Sequence, residues 1–127
     1  MERRKKTRHS ITDAVKRSSL LEQICLEIGL SAVVRGRVVD ISLGGLGFEI
    51  DDPDAVLMDE LENTTSLFVK IFFDEESIFA ETDKVWSIYQ EVSGRRTVKG
   101  GLQFSVLSSE DRIKLTGIIE EIRKALG

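Results

Sequence analysis

Val38-Val39-Asp40-Ile41-Ser42-Leu43-Gly44-Gly45-Leu46-Gly47-Phe48 is the stretch on which the architecture turns. Its first half is β-branched and reads as the end of a strand. Leu43 to Gly47 then holds three glycines in five residues, the composition of a turn that needs positive φ or close approach of a ligand to the backbone. Gly47-Phe48-Glu49-Ile50 opens the next strand. The segment therefore reads strand, tight turn, strand.

The same period of two extends outward in both directions. Upstream, Ile24, Leu26, Ile28 and Leu30 alternate with Cys25, Glu27 and Gly29, and a turn near Gly29–Ser31 leads into a strand through Val34 and Val38. Downstream, residues 51–66 are acidic, contain the only proline, Pro53, and allow a helical turn from Asp54 to Leu61. Residues 67–73 and 78–89 are strands, Ser93-Gly94-Arg95-Arg96 is a turn, and Thr97 to Leu107 is a sixth strand. Gly100-Gly101 inside that strand predicts a bulge or a point of close approach. Ser108 or Ser109 caps a helix over 110–125, in which Ile113, Leu115, Ile118, Ile119, Ile122 and Leu126 recur near helical spacing. Residues 11–21 predict a short helix with Thr12 or Asp13 as cap. The pattern predicts a mainly β fold: a six-stranded antiparallel barrel or sandwich, a C-terminal helix and a short N-terminal one.

At 127 residues the chain predicts one domain, with a basic arm over 1–10, a barrel over 22–107 and the C-terminal helix over 108–126. No apolar run is long enough for a membrane span, and no apolar stretch follows the basic N-terminus as a secretion signal requires. The single Cys25 cannot form an internal disulfide, so cytoplasm is the expected location. Net charge is −4, but residues 3–8 hold five of the 18 basic residues and no acid. The remainder carries 13 basic against 22 acidic residues, a balance of −9. An acidic body with one basic patch argues against a nucleic-acid binder and suits a local anion site.

Two motifs carry the functional expectation. Arg4 and Arg8 form R-x-x-x-R with Arg3 in front, and Asp40-Ile41-Ser42-Leu43-Gly44-Gly45 forms D-x-S-x-x-G, 32 residues after Arg8. Alone, the first reads as a solvated tail and the second as a strand-ending turn in which Asp or Ser bonds the backbone. Together and in this order they resemble the signature of PilZ domains, bacterial receptors for cyclic di-GMP. Val85-Trp86, and Gly101-Leu102-Gln103-Phe104 followed by Ser109-Glu110-Asp111-Arg112, extend the resemblance over most of the chain. It implies a six-stranded barrel with a helix at one end, and an arginine arm meeting the D-x-S-x-x-G turn on the barrel's outer surface. It also implies outputs in motility, biofilm matrix or virulence. The stretch between Arg8 and the first strand is longer than in minimal PilZ domains.

The ligand implied by the resemblance has two phosphates and two guanines. Arginine forks suit phosphate oxygens or guanine O6 and N7. Arg3, Arg4 and Arg8 are the candidates; Arg4 and Arg8, four residues apart, would share a face in a helical turn or close as pincers in an irregular arm. Asp40 can accept from guanine N1–H and the exocyclic amine. Ser42 can bond a phosphate or a ligand amide, or fix the turn; Gly44 and Gly45 shape that turn and admit the ligand. The polar arm is expected to order on binding and so signal to a downstream protein partner. A nucleotide-independent PilZ-fold adaptor is the alternative.

Other residues carry less. Trp86, Phe68, Phe72 and Phe104 sit at strand spacing and read as core, with ligand lining as the second reading for Trp86. His9 is the only histidine, which argues against zinc and against histidine-based catalysis. The acids of 51–62 lack the calcium-loop spacing. No nucleophile–base pair or phosphate-binding loop is present, so neither an enzyme, nor a metal, nor a cofactor is expected.

Overall fold

Alternation decides which side of each strand faces in, and ring closure decides where the site lies. A computed structural model describes residues 9–10, 24–73 and 75–126. Its elements are β1 (His9–Ser10), β2 (Cys25–Gly29), β3 (Val33–Ser42), β4 (Gly45–Asp51), α1 (Ala55–Asn63), β5 (Ser66–Phe73), β6 (Glu76–Val92), β7 (Arg95–Val106) and α2 (Ser109–Leu126). The sheet order β1-β3-β2-β5-β6-β7-β4 is closed by pairing of β3 with β4. All pairings are antiparallel, so the six long strands form the barrel expected from the sequence. The helix expected over 11–21 lies outside the described residues.

The inward residues fill the barrel. Leu26, Ile28, Val38, Ile41, Leu46, Phe48, Leu67, Ile71, Ile78 and Leu102 are all 3% exposed or less. Val38 and Ile41 both point in although three positions separate them. A register shift between Val38 and Asp40 absorbs the extra residue and turns Asp40 outward opposite Gly47. Two helices cover the ends. α2 buries Leu115, Ile118, Ile119 and Ile122 at the end where β3 turns into β4. Ser108, not Ser109, is its cap: its hydroxyl accepts from the Asp111 N–H at 3.0 Å. α1 starts at Asp54, whose carboxylate accepts from the Leu57 N–H at 2.8 Å, and buries Leu57 and Leu61 at the other end. Its Glu60 is tied to Ser31 in the β2–β3 turn.

Three aromatic expectations are corrected. Phe68 is 64% exposed and Trp86 46%, so neither is core. Leu67, Val69, Ile71 and Phe73 take the inward phase of β5, which puts Phe68 and Phe72 outside. There Lys70 lies 5.0 Å from the centroids of both Phe72 and Phe79.

A charged lattice clamps β3, β4 and β7 at the α1 end. Arg37 bonds Glu49 and Asp51, and Arg95 reaches Asp51 at 3.1 Å. Arg37, then Arg95, hold the Asp51 carboxyl down from the usual 3.8 to about 2. A depressed carboxyl stabilises the fold above its unfolded pKa, and that contribution is lost as pH falls from about 4 toward 2. Asp51→Asn is expected to flatten the fall in melting temperature across that interval, with only a small loss near neutrality because the pair is solvated. Melting curves of both proteins at stepped pH check this; parallel acid limbs would refute it.

Candidate functional site

The D-x-S-x-x-G segment is a hairpin whose two-residue turn, Leu43-Gly44, is fixed by Ser42. Ser42 is 4% exposed. Its hydroxyl accepts from the Gly44 N–H at 3.2 Å and faces the Gly45 carbonyl oxygen at 3.5 Å. Of the three roles open in the sequence, fixing the turn is the one its contacts serve. Gly45 has a different reason from the one its motif suggests. Its φ is not in the left-handed region, and an added methyl group would run into the Leu102 carbonyl oxygen of β7. Its smallness serves strand packing.

Asp40 stands at the meeting of three strands. Its backbone lies opposite Ser10 of β1 on one side and Gly47 of β4 on the other. Both carboxylate oxygens lie 3.0 Å from where a Gly47 side chain would begin, so the carboxylate rests on the bare backbone of β4. The register continues across the outer surface: Gly47 opposes Gly101 of β7, and Gly101 opposes Trp86 of β6. The Trp86 indole lies directly on Gly101, in the space a methyl group would take. A register shift between Lys84 and Trp86 puts the bulge in β6, whereas the double glycine of β7 provides the close approach. Gly100 receives the Phe48 ring from inside.

The result is a lane across four strands: a carboxylate, two glycines and a half-exposed indole. An acceptor pair beside an aromatic face can hold a flat heterocycle by its donor edge and by stacking. The neighbouring lane is basic but neutralised. Arg37 and Lys99 flank Glu49, with Lys99 at 3.8 Å. Arg3, Arg4 and Arg8 lie outside the described residues, while His9, which follows Arg8 in sequence, pairs with Ile41. The structure thus brings Asp40, Ser42 and the Gly44-Gly45 turn together. It adds Trp86, which the sequence offers only as a second possibility, and Gly47, which no motif marks. The signal for both was the small residue at 47 and 101, legible only once the strands are paired. Among the described residues, no cluster of three or more His, Cys, Asp or Glu could hold a metal, and no helix is long and apolar enough to cross a membrane.

The PilZ domain family model matches residues 2–121. Among solved structures, the chain resembles the PilZ domain of YcgR from Escherichia coli with c-di-GMP: TM-score 0.69 and 17% identity, covering 97% of this chain and 93% of that one. It also resembles the inhibitor of motility MotI/DgrA of Bacillus subtilis, at TM-score 0.64 and 20% identity over 99% of this chain and 52% of that one. A third is the Borreliella burgdorferi PlzA protein in complex with c-di-GMP, at TM-score 0.61 and 16% identity over 93% of this chain and 51% of that one. The chain thus spans about half the length of the last two. At these identities the likeness establishes the fold. No curated protein sequence is a significant match.

Proposed function

This chain belongs to the PilZ domain family, and from that premise we propose that it is a cyclic di-GMP receptor that performs no chemistry of its own. The supporting observation is the lane from Asp40 over Gly47 and Gly101 to Trp86. In this proposal a guanine stacks on the indole and presents N1–H and its amine to the Asp40 carboxylate. Arg3, Arg4 and Arg8 grip phosphates and guanine edges. Ser42, Gly44 and Gly45 act by holding Asp40 and the hairpin in place. Of the three solved structures named above, two carry c-di-GMP. Ordering of the arm would alter the surface offered to a downstream protein in the cytoplasm, with motility or biofilm outputs as in the family. Neither a cofactor nor a nucleic-acid partner is part of the proposal.

Calorimetric titration with cyclic di-GMP, beside an Arg8→Ala variant and a GTP control, tests it. Micromolar or tighter binding, weakened in the variant and absent for GTP, is the expected result. Silence from a folded protein, repeated by a second method, would reject the receptor and leave the nucleotide-independent adaptor. Trp86→Ala is expected to weaken binding by roughly 5- to 150-fold, since base–aromatic stacking contributes about 1–3 kcal/mol. Its melting temperature should hardly move, because the indole is half-exposed; unchanged affinity would remove Trp86 from the site.

A further inference from the structure

β6 outruns its neighbour. β5 pairs with residues 76–83 only, whereas β6 continues to Val92 against β7. The last bond on the β5 side runs from the Lys84 N–H to the Thr65 carbonyl, at 2.7 Å. The direction of the remaining backbone groups follows from the turn. Ser93 (φ 54) and Gly94 (φ 79) are both left-handed, the type I′ pattern of a two-residue hairpin. Val92 and Arg95 are then a hydrogen-bonded pair, and the pairs alternate from there. Ile88, Gln90 and Val92 bond to β7, while Ser87, Tyr89 and Glu91 turn their N–H and C=O groups away from it. Arg96, opposite Glu91, gives its carbonyl to the Asp52 N–H at 2.8 Å, as this phase requires.

The side chains make the edge more conspicuous. Val85, Trp86, Ile88, Tyr89 and Val92 are 59, 46, 50, 42 and 66% exposed. The segment 85–92 has no proline and no lysine, and Glu91 is its one charge. Strand edges left open are normally shielded by such residues or by pairing.

We infer that this edge pairs antiparallel with the same edge of a second copy of the chain, centred on Ile88. The edge is its own complement. A twofold axis normal to the sheet keeps outward residues on one side, so Ile88 meets Ile88 and Trp86 meets Gln90. On the other face Tyr89 meets Ser87, and Glu91 meets Val85 rather than another acid. One pairing satisfies both open edges and joins the two β4-β7-β6 sheets into one. No part of this depends on the nucleotide.

Sedimentation velocity of the full chain over roughly 2–200 µM, with residue-resolved amide exchange at both ends of that range, tests it. A concentration-dependent dimer is expected, in which the Ser87, Tyr89 and Glu91 amides exchange more slowly as it forms. Tyr89→Lys and Glu91→Pro should each raise the dissociation constant at least about tenfold; the proline removes a donor that β7 does not use. The wild-type exchange data decide the matter even where a variant folds poorly. A monomer throughout, edge amides whose exchange is independent of concentration, or a dimer that both folded variants preserve would overturn the inference.

Discussion

Replacing Gly45 by alanine is expected to destabilise the protein by about 3 kcal/mol or more, at or above the upper end of the usual overpacking penalty. The obstacle is the Leu102 backbone carbonyl, which no rotamer change can move aside. Gly45 pairs with Ser42 on β3 and with Gln103 on β7, so relief requires parting a seam of the closed barrel. Protein interiors have little free volume to absorb such a shift. Urea denaturation followed by circular dichroism gives the number, and a midpoint within experimental error of wild type would be incompatible with this packing. Ligand binding should be lost in the same variant, but together with the fold. A binding defect at Gly45 alone would therefore say nothing about ligand contact.

Asp40→Ala should behave in the opposite way, with stability close to wild type and affinity for cyclic di-GMP lower by roughly 30- to 150-fold. That corresponds to about 2–3 kcal/mol for losing a charge-assisted pair of hydrogen bonds to one base edge. Asp40 is half-buried on the outer wall, at a bulge that no longer needs its side chain for the core phase, since Val38 and Ile41 fill that role. Calorimetry on the variant, with its melting curve as control, separates the two effects. Affinity within threefold of wild type would remove Asp40 from the proposed site.

The barrel was legible because alternation is a direct record of burial. Leu67, Val69 and Ile71, or Leu26 and Ile28, announce one wet and one dry face. The phase of an aromatic is not recorded in the same way. Phe68 and Trp86 have the spacing of core residues, and only pairing with β2, β6 or β7 shows that they face out. Glycine is ambiguous for a related reason: the sequence shows a missing side chain but not the neighbour that requires it. Gly45 yields to Leu102, Gly47 to Asp40 and Gly101 to Trp86, each across a strand boundary. Ser42 was open between ligand and turn until its partners were known. Asp40 could be picked from its motif, but its position beside β1 depends on the register of a strand two residues long.

That short strand has a consequence for local concentration. His9–Ser10 fastens the backbone beside Ile41 and Asp40. The Cα of Arg8 can be only about 3.8 Å from that of His9, and Arg4 at most ~14 Å further along the chain. In the proposed receptor, guanidinium groups on so short a leash would reach the ligand at an effective concentration on the order of millimolar, whatever the abundance of the protein. Closing the arm over a ligand, as proposed above, would then be an intramolecular step that dilution does not weaken. The same arginines supplied on a separate peptide would need millimolar amounts to do as much.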